Sequence, residues 1–392
     1  MDSLRITIKN TISWLTHHPQ QENDFSSKKN DQLLQNLVND LINYAELKMS
    51  SDIHLEPQEN GIRIRLRIDG VLSEHFQAPK YIYKQFCCKL KILANIDIAQ
   101  TRLPQDGKFI FQVKNNLQIH IRMSTCPTVL GEKIVLRLLK DNKSTLNLNC
   151  LGMNPEQLTV FSQAISSPHG LVLITGPTGS GKTSTLYSAL SNINADTKNI
   201  ITIEDPVEVH LPRINQININ IKADLTFSSA LRSILRQDPD VIMIGEIRDE
   251  ETAQIAIQAA NTGHLVLATL HTNNCIETVN RLKQMNLDQN EFISCLRLIV
   301  SQRLLRKKCT KCDQGSMNSE CECTDGYYGR FGVFEMLYFN ESLKHHMIQN
   351  PYCNESTLIQ NYQFTPINQQ VMECIRYGIT SQEEAKRALN IC

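Results

Sequence analysis

Hydrophobic and polar positions change period along the chain. Over residues 34–45, Leu34, Leu37, Val38, Leu41, Ile42 and Ala45 recur with the 3.6-residue period of an amphipathic helix. Past residue 51 the period shortens to two. Between 61 and 68, Ile62, Ile64, Leu66 and Ile68 alternate with Arg63, Arg65 and Arg67, so one strand face enters a core and the other carries guanidinium groups. Asp69-Gly70 reads as the turn that follows. A second alternating strand over 117–123 turns Leu117, Ile119, Ile121 and Met123 inward and Gln118, His120 and Arg122 outward. A third, over 133–139, carries Arg137. Residues 31–140 thus predict a small α+β domain with an arginine-rich surface. Residues 141–150 are polar and read as a linker.

Beyond the linker, short apolar runs at 171–174, 200–203, 241–244 and 265–269 alternate with helical patterns. One such helix, over 249–261, has acidic residues in its first turn and Ala253, Ala256, Ile257 and Ala260 on one face. This alternation predicts an α/β domain over 151–305, with a mostly parallel sheet covered on both sides. Ligands of such sheets bind beyond the carboxyl ends of the strands.

The ends of the chain are plainer. Within residues 1–30, Leu4, Ile8, Ile12 and Leu15 share a helical face beside Arg5 and Lys9, which fits either a surface-binding helix or a loosely docked arm. Residues 20–30 read as a linker. Residues 336–392 read as helical, with Thr380-Ser381 and Glu384 at capping-box spacing before 385–389, and packing is their expected role.

At 392 residues the chain can hold two or three domains. Its 40 basic residues balance 40 acidic ones, so no net field steers it toward nucleic acid or an anionic membrane. No apolar stretch approaches the roughly 20 residues of a membrane helix, and no secretory signal is apparent, so a soluble protein is expected. The 13 cysteines are odd in number and mostly scattered, which predicts reduced thiols in a cytosolic compartment.

The first apolar run of the α/β domain leads into Gly176-Pro177-Thr178-Gly179-Ser180-Gly181-Lys182-Thr183, and residues 183–193, Ser184 among them, read as a helix. This is a Walker A pattern in the strand, loop and helix context that it requires. Glycines let successive N–H groups turn inward at phosphate oxygens, Lys182 reaches the β- and γ-phosphates, and Thr183 offers its hydroxyl to Mg²⁺. A Gly-rich turn without ligand is the plain alternative. The other runs end in chemistry too: Glu204-Asp205-Pro206-Val207-Glu208, Gly245-Glu246-Ile247-Arg248-Asp249 and Leu270-His271-Thr272. Carboxylates and an imidazole at that edge could serve as base, metal-shell organiser and γ-phosphate sensor for ATP hydrolysis.

These segments resemble the hexameric ATPases of type II secretion and type IV pilus assembly, from about residue 31 to the C-terminus. Residues 203–208 are similar to that family's Asp box, 235–249 to its atypical Walker B, and 262–272 to its His box. Ser51-Asp52-Ile53-His54-Leu55-Glu56-Pro57, Arg67-Ile68-Asp69-Gly70 and Leu103-Pro104-Gln105-Asp106-Gly107 match as well. The resemblance implies a RecA-like P-loop ATPase domain preceded by a PAS-like domain, in a homo-hexameric ring using ATP and Mg²⁺. It implies catalytic roles for residues of the Asp box, Glu204 among them, with Glu208 as general base. Glu246 would organise Mg²⁺, and His264 and His271 would respond to the γ-phosphate. Arg122, Arg137, Arg232 and Arg236 match positions that supply cations to nucleotide or to a neighbouring subunit; on the residues alone, exposed strand arginines are usually only solvated, and Arg63 and Arg65 keep that reading.

Cys309, Cys312, Cys321 and Cys323 form two close pairs, which fit a tetrahedral Zn²⁺ site in a small knob over 306–335 or, alternatively, spare reduced thiols. Secretion and pilus-assembly members carry a tetracysteine motif here, followed by a segment similar to Gly326-Tyr327-Tyr328-Gly329-Arg330. This chain departs from it in its C-x-C second pair and short spacer. The resemblance further implies a cytoplasmic enzyme, peripheral to the inner membrane, working on a membrane platform protein. A pilus-retraction motor, a nucleotide-gated scaffold without turnover and a nucleic-acid translocase are the alternatives, and the balanced charge disfavours the last.

Overall fold

The computed structural model describes residues 2–17, 28–113, 118–139, 146–193, 195–312, 321, 323–350, 355–362 and 364–389. The chain separates into two compact units, Met1–Asp141 with Ser319–Thr324, and Asn142–Asn318 with Asp325–Cys392.

In the first unit, α1 (Asp2–His17) and α2 (Lys28–Leu47) precede β1 (Ser50–Gln58), β2 (Gly61–Ile68) and β3 (Val71–Pro79). After α3 (Lys80–Leu93) come β4 (Gln105–Gln112), β5 (Gln118–Thr128) and β6 (Gly131–Leu139). The strands form one antiparallel sheet in the order β3-β2-β1-β6-β5-β4. Asp69 and Gly70 have φ of 49° and 83°, the left-handed pair that a two-residue hairpin turn needs. One sheet face is apolar, with Ile53, Leu55, Ile64, Leu66, Ile121 and Leu136 packed with Leu37 and Leu41 of α2 and Phe86 and Leu90 of α3.

Leu4, Ile8 and Ile12 belong to the same core. The apolar stripe of α1 is therefore docked rather than offered to an outside surface, because burying it inside its own unit removes it from water at once. Residues 28–30, expected in a linker, open α2. The Leu15 side chain, residues 20–27, Leu117 and residues 141–145 lie outside the described residues.

The second unit is a seven-stranded sheet, reached through α4 (Pro155–Ile165). Its strands are β7 (Gly170–Thr175), β8 (Ile200–Glu204), β9 (Asn215–Asn218), β10 (Val241–Ile244), β11 (Leu265–Leu270), β12 (Leu296–Lys308) and β13 (Tyr327–Tyr338), in the order β13-β12-β7-β11-β10-β8-β9. All neighbours are parallel except β12 and β13. Every residue of β7, β8, β10 and β11 is buried, which is why they read as unbroken apolar runs. Two separate apolar clusters cover the faces. One gathers α6 (Phe227–Ile234), α7 (Glu250–Asn261), α8 (Cys275–Gln284) and α9 (Gln289–Cys295); the other gathers α4 and α5 (Lys182–Asn192).

Two expectations meet differences here. From residue 327 the segment read as a cysteine knob is β13, paired with β12 across the sheet, so the cysteines stand at the tip of a long hairpin. The helices α10 (Glu341–Gln349), α11 (Glu355–Tyr362), α12 (Ile367–Arg376) and α13 (Gln382–Leu389) close the chain. Before α13, Ser381 accepts the Glu384 N–H at 3.2 Å, while the fully buried Glu384 carboxylate is engaged by Arg306 and Arg387.

Candidate nucleotide site

The loop between β7 and α5 lies at the carboxyl edge of the parallel sheet. Gly176, Gly179 and Gly181 have φ of 141°, 78° and 90°, angles that favour glycine. A Cβ on Gly176 would meet the Gln302 carbonyl at 2.5 Å and Ser180 Oγ at 2.7 Å, so nothing larger fits. Pro177, Thr178 and Gly179 form the outer turn, and Thr183 and Ser184 lie in the first turn of α5. Lys182 is buried, and its ammonium donates to the carbonyls of Gly176 at 2.7 Å and Pro177 at 3.1 Å. Burial pushes its pKa down to about 8; Glu246 opposes the shift and Arg303 reinforces it. Ser180 Oγ is buried without a hydrogen-bond partner. A glycine cradle, an ammonium and an unsatisfied hydroxyl at the positive end of a helix form a donor set that fits a polyphosphate.

Glu246 follows β10. One of its oxygens pairs with Arg248 and the other lies 3.4 Å from Nε2 of His271, which follows β11. Lys182, Glu246 and His271 thus share one edge. Hydroxyls lock the loops beneath them: Thr175 bonds Thr272, whose Oγ1 lies 2.6 Å from that of Thr278 on α8. Gln302 and Arg303 of β12 support them from below. Gln302 accepts from Thr185 at 2.8 Å, and the buried Arg303 guanidinium donates to the Asn273 carbonyl at 2.8 Å.

Other candidates stand elsewhere. Glu204 ends β8, yet it is only 3 % exposed, and its oxygens accept from Tyr187, Thr202 and Gln216. Being closed in on every side, it is not presented to the loop as a reacting carboxylate; Glu208, four residues on, is exposed. His264 precedes β11 at the opposite end of the sheet, where its carbonyl accepts from Gly170 at 3.0 Å and its Nδ1 lies 2.9 Å from the Ala259 carbonyl. A six-residue strand spans about 20 Å, so within this chain His264 stands well away from the loop. Arg232 pairs with Glu251 at 2.6 Å, and Arg236 returns to the Arg232 carbonyl at 2.9 Å, both on the outside of the α6 segment.

In the first unit, Arg122 and Arg137 lie in a cross-strand row. Residues 67, 52, 137, 122 and 108 are register partners in turn, an order of Arg, Asp, Arg, Arg and Lys. Asp52 takes Nε of Arg137 at 2.9 Å and lies 3.5 Å from Nε of Arg67. Arg63 and Arg65, read as merely solvated, instead engage the buried Glu56. At the hairpin tip, the sulfurs of Cys309, Cys312, Cys321 and Cys323 lie within 4.8 Å of one another.

Sequence motifs led to Lys182, Glu246 and His271. They missed Tyr187, Gln302 and Arg303, which no local pattern marks; Thr175 and Thr272 could have been found as immediate neighbours of Gly176 and His271.

The fold and loop define a phosphate-loop nucleotide-binding α/β protein. Residues 27–387 match the family model described as type II/IV secretion system protein. The protein transport protein HofB homolog of Haemophilus influenzae is 42% identical over 94% of this chain and 76% of its own length. The type II secretion system protein HxcR of Pseudomonas aeruginosa is 47% identical over 79% of this chain and 67% of its own. The type IV pilus assembly ATPase PilB of Acinetobacter baylyi is 38% identical over 89% and 65%. Among solved structures, the pilus retraction motor PilT with bound ADP aligns with a TM-score of 0.63 at 28% identity, over 89% of this chain and 96% of that one. The chain belongs to the type II/IV secretion system protein family, and it is an ATP-hydrolysing enzyme.

Proposed function

We propose that this chain is a hexameric motor ATPase that powers type IV pilus assembly or type II protein secretion. The observation that carries the reading is the meeting of Lys182, Glu246 and His271 at the carboxyl edge of a parallel sheet, beneath a glycine cradle. In this reading the second unit is RecA-like and the first PAS-like. The enzyme is cytoplasmic and docks peripherally on an inner-membrane platform protein; no helix among the described residues is long and apolar enough to cross a membrane.

The loop N–H groups, Lys182 and Ser180 bind the β- and γ-phosphates of ATP, and binding draws the Lys182 ammonium away from the loop carbonyls it now satisfies. Thr183 and Glu246 would hold Mg²⁺, which spreads charge off the phosphoryl oxygens when bound. Glu208 takes the proton of the attacking water, and His271, paired with Glu246, senses the γ-phosphate. Arg122 and Arg137 supply cations. Register supports this for Arg122, which faces Lys108 and Arg137 across the strands, whereas Arg137 already has the Asp52 carboxylate.

Zinc at the cysteine tip belongs to the same proposal. A tetrahedral S₄ site with ~2.3 Å bonds has edges of about 3.8 Å, so sulfurs already within 4.8 Å fit it. Elemental analysis of purified protein should give one zinc per chain, and a content near zero leaves the thiol reading.

Retraction is the competing direction of work. The retraction motor aligns at 28% identity, against 38–47% for the relatives named above, and the cysteine cluster also favours assembly or secretion. Deleting the gene and scoring surface filaments tests the direction: loss of an assembly motor leaves fewer, loss of a retraction motor leaves more.

A further inference from the structure

The loop over 207–211, which carries Glu208, has no regular structure of its own, yet polar side chains hold it at four points. Val207 N–H donates to Asn218 Oδ1 at 2.7 Å, and Leu211 N–H donates to Gln216 Oε1 at 2.7 Å. The Val209 carbonyl accepts from Gln216 Nε2 at 3.1 Å. These three anchors belong to β9, the neighbouring strand. The fourth comes from elsewhere: Glu208 N–H donates to the hydroxyl of Tyr187 at 3.2 Å, and Tyr187 lies on α5, the helix that begins at Lys182.

A phenol has one proton to give. Tyr187 gives it to Oε2 of the buried Glu204, so a lone pair of its oxygen is left to face the Glu208 N–H. Glu204 is itself fixed, since its other oxygen accepts from Thr202 Oγ1 at 2.6 Å and from Gln216 Nε2 at 3.1 Å. Burial, followed by the hydrogen bond to Glu204, pushes the Tyr187 phenol far above its ordinary range, so it stays protonated. A tyrosine present only to fill space could be replaced by phenylalanine without effect. Here the hydroxyl is the link between the phosphate-loop helix and the segment that presents the base.

We propose that Tyr187 is a positioning residue for ATP hydrolysis: it ties the placement of Glu208 to the helix that binds the phosphates, and Glu204 is the buried anion that orients it. The proposal rests on Glu208 being the general base. It gives Glu204 a place in the reaction without contact with ATP, and it makes any movement of α5 on nucleotide binding a movement of the base as well.

The test is steady-state ATP hydrolysis by the full chain, with KM and kcat separated, for Tyr187→Phe, Glu204→Gln, Glu208→Gln and the double variant Tyr187→Phe/Glu208→Gln. Tyr187→Phe should lower kcat about 10- to 100-fold with KM within about twofold of wild type. In the double variant it should add less than about twofold to the loss from Glu208→Gln alone, because two residues acting through one group do not add. Glu204→Gln keeps the shape of the cluster and guards against a Tyr187→Phe chain that fails to fold; it should lower kcat with KM unmoved. The proposal is overturned if Tyr187→Phe and Glu204→Gln turn over ATP like wild type while Glu208→Gln is inactive, or if the two losses multiply in the double variant. A Glu208→Gln enzyme that retains its turnover removes the base reading, and the proposal with it.

Discussion

In the seven-stranded sheet both faces are covered by apolar clusters, and side chains able to do chemistry are left at the strand ends. In the six-stranded sheet one face packs on helices and the other is polar, so its charged residues run in rows across the strands. The two sheets therefore hold their reactive groups in different places. A parallel sheet concentrates reactive groups at its carboxyl edge, in loops of a few residues each, whereas an antiparallel sheet with a polar face spreads them two residues apart along every strand. The first arrangement suits a compact reacting centre. The second suits a broad electrostatic surface, as the row through residues 67, 52, 137, 122 and 108 illustrates.

The sharpest way to break this contrast is at the edge. Lys182→Ala should lower ATP turnover about 10²- to 10³-fold, in line with losing one preorganised charge at a transferring phosphoryl group. Turnover within a few-fold of wild type would move the reacting centre elsewhere. Next comes the row. Arg122→Ala should lower turnover about 10-fold or more while leaving the thermal midpoint within a few degrees, since the change relieves the like charges of Arg137 and Lys108 that face it. Unchanged turnover with a large loss of stability would make the row structural.

The other group of charges on that sheet gives a pH test. Burial raises the Glu56 pKa, but hydrogen bonds from Arg65 and Lys133 outweigh it and hold the carboxyl at about 2. A carboxylate with a depressed folded-state pKa adds stability that is present above its ordinary value near 4.5 and is lost as pH falls through 2. Urea unfolding should therefore show Glu56→Gln less stable than wild type by about 1–3 kcal/mol at pH 7, with the gap closing between pH 4.5 and 2. A gap that does not change with pH would place the effect in packing. The smallest effect separates the two ends of the parallel sheet: His271→Ala should lower turnover about 10-fold and His264→Ala less than about threefold. Equal losses would show that the amino edge takes part too.

Much of this was legible in the sequence because its causes are local. The two-residue alternation over 61–68 and the apolar runs at 171–174 and 241–244 follow from which faces are buried, and the glycines of the phosphate loop mark angles that other residues avoid. The docking of α1 was not legible, since an apolar stripe does not say what will cover it. Nor was the burial of Glu204: in the string 203–208 it looks the equal of Glu208, and only the packing of Tyr187 and Gln216 from other elements separates them. Gln302 and Arg303 were silent because β12 lies more than a hundred residues from the loop it supports.

β12 runs unbroken from the residues that brace the phosphate loop to Lys308, one position short of Cys309, and it is bonded to β13 along most of that length. The β12–β13 register is even from Leu298 to Arg306 and shifts once between Arg306 and Lys308, just before the first cysteine pair. One continuous strand thus joins Gln302, under the phosphate loop, to the first cysteine pair.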